Sequence, residues 1–242
     1  MVAPRDRFRI RAISGRVRGS ISAYSEMSRP YRLAQLSAQY AYGQMQVSKK
    51  TADPAEAVLR EIEEMGKKSF IPSIGPVKGK ILAEIVKKHK PRKILEVGAL
   101  YGYSAILIAK NSPANAEITS VEKNPEHARI TEQNVERARL EDQIKVIQGD
   151  AMEILRKLPG PFDLVFLDAE KTQYLDYLKA LEDKLHQGSV VVADNVGVFQ
   201  DQMQNYLHYV RNTGRYRSRT VETLLEFSDT TKDAMEISEK RY

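Results

Sequence analysis

The chain of 242 residues contains no cysteine and no tryptophan. Without thiols there are no disulfides, no thiolate metal sites and no cysteine nucleophile. Long apolar runs are missing too. Stretches such as Val190 to Ala193 and Leu164 to Leu167 are far too short to cross a bilayer. No charged start leads into an apolar core and a cleavage site, so no secretory leader is expected. There is no internal repeat and no low-complexity tract. These absences give the expectation of a cytoplasmic protein with no membrane span. Histidine is scarce, and His89, His127, His186 and His208 lie on helical or loop stretches, so none is assigned chemistry.

The charge that is present is unevenly placed. The formal net charge is +6, yet residues 1–50 carry ten Lys/Arg against only Asp6 and Glu26. That arm therefore holds about +8, and the rest of the chain is close to neutral at about −2. The division expected is a basic N-terminal extension over 1–50 and one α/β domain over 51–242. For the arm (Arg5, Arg7, Arg9, Arg11, Arg16, Arg18) three readings stay open: a solvated or partner-packing extension, an organelle transit peptide, or an electrostatic arm for RNA or anionic lipid.

Residues 30–48 suit one helix, with Pro30 near its first turn. Asp53 can cap a second, with Pro54 in its first turn and Ala57, Leu59, Ile62 and Met65 forming an apolar stripe. A loop, KKSFIPSIGP, precedes a helix from Val77 to His89. After Pro91 short apolar runs alternate with amphipathic stretches. Strands are expected at Lys93–Ala99, Glu117–Glu122, Ile144–Gly149, Phe162–Asp168 and Ser189–Asp194. Helices follow at Tyr103–Lys110, Pro125–Leu140, Met152–Leu158, Lys171–Leu185 and Gln200–Arg211. Consecutive β-then-α units demand a parallel sheet with helices on both faces, a doubly wound, Rossmann-like arrangement. Tyr216–Thr223 and Ala234–Lys240 have no helix between them and should pair as an antiparallel hairpin at the sheet edge.

Ligands of such sheets bind at the carboxyl ends of the strands. The first strand runs into Glu96-Val-Gly98-Ala-Leu-Tyr-Gly102-Tyr-Ser104, where two glycines let the backbone turn beneath a ligand. This is not the GxGxxG of a dinucleotide fold, which disfavours a nicotinamide dehydrogenase. Glu122 closes the second strand, roughly 20 residues on, where an acid can accept from both ribose hydroxyls of an adenosyl group. Gly149-Asp150-Ala151 closes the third and would border the adenine. Asp168 closes the fourth strand and Asp194-Asn195 the fifth. Two carboxylates and one amide carbonyl, all hard oxygens, suit magnesium. Asp and Asn also cap helices after strands, so both roles stand open. Lys171 is either a general base beside that cation or a solvated helix lysine. Gly75 to Ile81 is no phosphate loop: the spacing is short, Ile81 replaces the hydroxyl residue and no strand precedes it.

Taken in order, IGPVKGK (74–80), ILEVGALYGYSA, VEKNP, LDAEKTQY and VVVADNV resemble the catechol O-methyltransferases and their cation-dependent relatives over residues 53–242. The resemblance implies a seven-stranded, mostly parallel sheet and magnesium-dependent methyl transfer from S-adenosylmethionine to a hydroxyl of a catechol-like small molecule. It implies magnesium at Asp168, Asp194 and Asn195, and Lys171 as the base. It places the cofactor against Glu122 at the ribose, against Glu96, Gly98, Ser104, Asp168 and the backbone near Ile74 at the methionine end, and against Lys123, Gly149, Ala151 and Met152 at the adenine. Phe70, Lys171, Asn195 and Arg217 would face the substrate. Leu100 stands for the family's tyrosine behind the sulfur and Glu170 for its adenine-flanking tryptophan. The glutamate holding the second hydroxyl falls, ungapped, near Arg217, with Glu222 as a substitute if the hairpin register shifts. Alternatives are an O-methyltransferase acting on tRNA or another large substrate, and a non-catalytic cofactor-binding scaffold. The chain is expected to be a monomer or a homodimer, with the N-terminal arm as a candidate dimer contact.

Overall fold

A computed structural model describes residues 53–68 and 71–242. The helix expected over 30–48 and the basic arm lie outside them. Helix α1 (Pro54–Lys68) starts where Asp53 accepts from the backbone N–H of Ala55 at 3.0 Å, and α2 spans Gly75–His89. Five strands then alternate with helices: β1 (Lys93–Val97), α3 (Tyr103–Asn111), β2 (Glu117–Glu122), α4 (Pro125–Arg137), β3 (Ile144–Gln148), α5 (Ala151–Lys157), β4 (Phe162–Leu167), α6 (Tyr174–Leu181), β5 (Leu185–Ala193) and α7 (Gln204–Asn212). Strands β6 (Tyr216–Leu224) and β7 (Lys232–Lys240) close the chain.

The seven strands lie in the order β3-β2-β1-β4-β5-β7-β6, with β7 antiparallel to β5 and β6 antiparallel to β7. The winding direction reverses between β1 and β4, and the crevice at their carboxyl ends is where such sheets take ligands. The central strands read as continuous apolar runs because both faces are covered. Ile94, Leu164, Phe166, Val190 and Val192 pack under α1–α4, while Leu95, Val97, Val165, Leu167, Val191 and Ala193 pack under α5–α7.

Some local expectations shift. Helix α2 begins two residues before Val77, since Pro76 suits a first turn and Gly75 supplies the φ of +60° that enters it. Val58 rather than Ala57 completes the buried stripe of α1. The stretch after β4 is a 3₁₀ turn (Lys171–Gln173) before α6, because Glu170 caps Thr172 while Lys171 is drawn inward.

Gly98 is where the crevice forms. Its φ is +98°, and a Cβ there would lie 2.1 Å from the carbonyl oxygen of Asp168. Only glycine lets the ends of β1 and β4 approach this closely. The loop beyond it is gripped by α4: Thr131 Oγ1 donates to Leu100 O at 3.0 Å and Asn134 Nδ2 to Tyr101 O at 2.9 Å.

Candidate functional site

A cavity of about 540 Å³ opens at this crevice. Of the residues singled out in the sequence, Ile74, Gly98, Ser104, Glu122, Lys123, Ala151, Asp168, Lys171 and Asn195 line it. A more open depression elsewhere, bounded by Arg156, Lys179, Lys184 and Lys240, offers less chemistry. Its Lys184 and Lys240 ammonium groups are committed to the backbone carbonyls of Leu155 and Glu182 at 2.5 and 2.6 Å.

On the donor side, Glu122 is buried and heavily bonded. Its Oε2 accepts from the N–H groups of Ala99 (3.1 Å) and Leu100 (2.9 Å), and Oε1 accepts from Asn124 N–H at 2.8 Å. Those bonds fix the carboxylate at the rim while Oε1 keeps spare acceptor capacity. His127, given no role above, lies 3.9 Å from that oxygen and lines the cavity. Burial pushes its ring pKa down, against the pull of Glu122. Glu96 does not line the cavity. It is fully buried in β1, where it accepts from Ser120 Oγ across the sheet, and its Oε1 has no partner. Burial pushes its carboxyl up to about 7, against hydrogen bonds from Ser104 and Ser120. Ser73, unremarked in the sequence, lines the cavity with a buried hydroxyl that has no hydrogen-bond partner among the described residues. Gly149 and Met152 fall outside the lining, because Asp150 turns the chain there by capping α5 through Met152 N–H at 2.9 Å.

On the acceptor side, Asp168 and Asp194 cap no helix. Asp168 Oδ1 accepts from Lys171 Nζ at 2.8 Å. Lys171 is also held by Tyr174, whose hydroxyl accepts from Nζ at 2.9 Å while donating to Leu167 O at 2.9 Å. Burial acts to depress the Lys171 ammonium, but Asp168 and Asp194 outweigh it and raise its pKa. The Phe199 ring stands 6.0 Å from Nζ.

Behind Asn195 lies a cluster the sequence did not disclose. Lys78, from the first turn of α2, is completely buried. Its Nζ meets Asp194 at 2.9 Å, Asp233 at 2.6 Å, and Glu226. Carboxylate oxygens of Asp194, Glu226 and Asp233 all lie within 4.8 Å of one another. Asn195 Nδ2 donates to Glu226 at 3.1 Å and to Asp233 at 3.0 Å. Two carboxylate acceptors require the amide nitrogen on that side, so the carbonyl Oδ1 faces the other way. Asp194 Oδ1 lies 2.9 Å from Lys78 Nζ but accepts no hydrogen bond from the described residues, and burial, then the like charge of Asp168, raise its pKa well above the carboxylate range.

Arg217 does not join this site. It sits exposed on β6, paired with Glu239 at 2.8 Å, and Glu222 is on the same edge strand opposite Ala234. Strand β6 runs on to Leu224, so the acid that reaches Asn195 is Glu226, just past the strand end. Phe70 lies outside the described residues.

Comparisons with known proteins agree with this fold. The O-methyltransferase family model matches residues 46–213. Catechol O-methyltransferase B of Danio rerio is 30% identical over 220 residues, covering 88% of this chain and 79% of that protein. Catechol O-methyltransferase of Mus musculus is 32% identical, covering 74% and 69%. The structure of an O-methyltransferase from Bacillus cereus in complex with SAH superposes with a TM-score of 0.68 at 24% identity, over 85% of this chain and 97% of that one.

Proposed function

Because the chain belongs to the O-methyltransferase family, as a catechol O-methyltransferase-like, S-adenosylmethionine-dependent enzyme, we propose that it methylates one hydroxyl of a catechol-like small molecule with the help of a bound magnesium ion. One observation carries the metal. Counted as ionised, Asp168, Asp194, Glu226 and Asp233 face, among the described residues, only Lys78 and Lys171, which leaves this largely buried group a charge of about −2. Asp194 Oδ1, which accepts no hydrogen bond from the described residues although Lys78 Nζ lies 2.9 Å away, and Asn195 Oδ1, on the side of the amide turned from Glu226 and Asp233, are hard donors. A divalent cation fits both the charge and the donor chemistry. Burial first, and then the like charge of Asp168, raise the proton affinity of Asp194.

Asp168, Asp194 and Asn195 would hold the magnesium ion, which when bound supplies a Lewis acid that lowers the pKa of a coordinated hydroxyl. With the charges of Asp168 and Asp194 answered by a cation, burial would be left to depress the Lys171 ammonium, and its Nζ would take the hydroxyl proton. Tyr174 holds Nζ at the cavity wall throughout. Glu226, rather than Arg217 or Glu222, would accept the second hydroxyl of the diol. Val77, Val198 and Phe227 are exposed apolar residues adjoining this cluster, and they suit an aromatic ring better than a phosphate backbone.

For S-adenosylmethionine, which supplies the sulfonium methyl, Glu122 would bind the ribose. Ser104, Ser73 and the backbone at Ile74 would bind the methionine carboxylate, with Glu96 beneath. Gly98 lets the donor lie against Asp168, and Lys123, Asp150 and Ala151 border the adenine. The protein's contribution is then mainly holding two reactants in line, worth up to about 7–11 kcal/mol in favourable cases. Residues 51–242 would be the catalytic domain and 1–50 a basic extension that contacts a second copy if the enzyme dimerises. Among the described residues no helix is long and apolar enough to cross a membrane.

The test is transfer of labelled methyl to a 3,4-dihydroxy aromatic acid or amine, with and without magnesium. Turnover of the diol that a chelator abolishes is the expected result. Turnover indifferent to chelator would refute the metal assignment. Cofactor binding without transfer to any diol, or methylation of RNA instead, would refute the acceptor.

A further inference from the structure

Lysine is seldom found wholly buried, because an unpaired ammonium in a dry interior is strongly disfavoured. Lys78 is wholly buried, and its surroundings explain it. An ammonium has three N–H donors. Nζ meets three carboxylates, Asp194 from the end of β5, Glu226 from the β6–β7 turn and Asp233 from the start of β7. The Asn195 amide has two more donors, and they go to Glu226 and Asp233. Asp233 Oδ1 is also used, by the N–H groups of Gly197 at 3.1 Å and Val198 at 2.9 Å. The Asn195 carbonyl oxygen, opposite its amide nitrogen, takes no part in these bonds, and Asp194 Oδ1 lies 2.9 Å from Nζ without accepting a hydrogen bond; both belong to the metal set proposed above.

We propose that Lys78 is a positioning residue: its ammonium is a built-in monovalent cation that fills the tricarboxylate cluster, so that the site takes one divalent ion and presents Asp194 and Asn195 to it. The proposal rests on the magnesium reading. Three carboxylates within 4.8 Å of one another are themselves a donor set for a hard dication. The ammonium occupies that position. It ties α2 to the two segments that carry Asp194 and Glu226, and, through Asp233, it holds the Asn195 amide in the orientation that frees its carbonyl.

The experiment counts Mn²⁺ ions bound to the full chain by electron paramagnetic resonance and calorimetry, with S-adenosylhomocysteine present. The wild type should bind one. Lys78→Met, of similar length but neutral, should bind two, and the pair should show spin coupling. Its kcat should fall at least a hundredfold, while its KM for S-adenosylmethionine moves less than threefold. Adding Asp233→Asn lowers the charge of the vacated cluster, so Lys78→Met/Asp233→Asn should return to one ion without recovering kcat. One ion per chain in Lys78→Met, whatever its activity, overturns the proposal. If Lys78→Met does not fold, the wild type decides: a second, spin-coupled Mn²⁺ taken up at millimolar concentration would mean that the ammonium does not fill the cluster, whereas saturation at one ion supports it. A wild type that binds no Mn²⁺ removes the metal reading itself, and the role of Lys78 with it.

Discussion

Replacing Gly98 by alanine separates two effects that glycine usually combines. At φ +98° an alanine pays for an unfavourable backbone, on the order of 1–2 kcal/mol. Its Cβ would also lie 2.1 Å from the Asp168 carbonyl oxygen, where about 3.2 Å is needed. Relief requires the ends of β1 and β4 to part by about 1 Å. Gly188 is the matched control, with φ +90° and nothing within 4 Å of a built Cβ. Gly188→Ala should cost the backbone term alone, a fall in Tm of about 2–4 °C per kcal/mol for a domain of this size. Gly98→Ala should lose at least as much again. It should also lose about a hundredfold in kcat, because a displacement of about 1 Å where donor and acceptor meet is costly to an in-line reaction. Thermal denaturation with and without S-adenosylhomocysteine, together with steady-state kinetics, reads both quantities. Equal Tm losses in the two variants, with kcat unchanged in Gly98→Ala, would refute the close approach as the reason for glycine.

Lys171→Ala and Asp168→Ala should each reduce kcat at least a thousandfold, and a fully active Lys171→Ala enzyme would dismiss it as the base. Glu122→Gln should weaken cofactor binding about 10–100-fold, from the loss of one or two charge-assisted hydrogen bonds, with kcat at saturation nearly unchanged; calorimetric titration measures it. Burial and Asp168 raise the proton affinity of Asp194, so a proton competes with a cation there; the apparent magnesium affinity should rise with pH, and a flat profile from pH 6 to 8 would contradict that. Glu96, raised from 4.5 to about 7, favours its protonated form in the fold. Its stability contribution is therefore full below about pH 4.5 and lost as pH climbs through 7, on the order of 3 kcal/mol. Glu96→Gln should flatten that part of the Tm–pH curve, and an unchanged curve would show that the carboxyl does not titrate there.

Strand-end residues were readable because a parallel sheet forces its carboxyl ends together. The order of strands alone therefore brings Glu122, Asp168 and Asp194-Asn195 to the carboxyl edge of the sheet around one crevice. What stayed hidden depends on contacts distant in sequence or on register. Lys78 and Glu226 are separated by 148 positions, and nothing in the first turn of an amphipathic helix distinguishes a buried lysine from a solvated one. An ungapped count falls on Arg217, but the length of β6 and the turn beyond it put Glu226 instead beside Asn195. Tyr174 sits in a stretch whose period signals only helix, and its hydroxyl acts because the 3₁₀ turn brings Lys171 back over it. His127 and Ser73 reach the cavity from a helix and a loop, away from the strand ends where chemistry was sought.

The reversal of winding between β1 and β4 also divides the molecule by duty. Residues assigned to the methyl donor come mostly from β1–β3 and the turns after them. Those assigned to the acceptor come from β4 and β5 and from three excursions beyond the sheet: the first turn of α2, the turn from Asn195 to Phe199, and the connection from β6 to β7. The two halves touch at the seam between Gly98 and Asp168. Acceptor preference can thus drift, or be redesigned, by exchanging those excursions while the donor half keeps its hydrogen bonds. The seam would not change in this way, since widening it would shift both proposed binding sites at once.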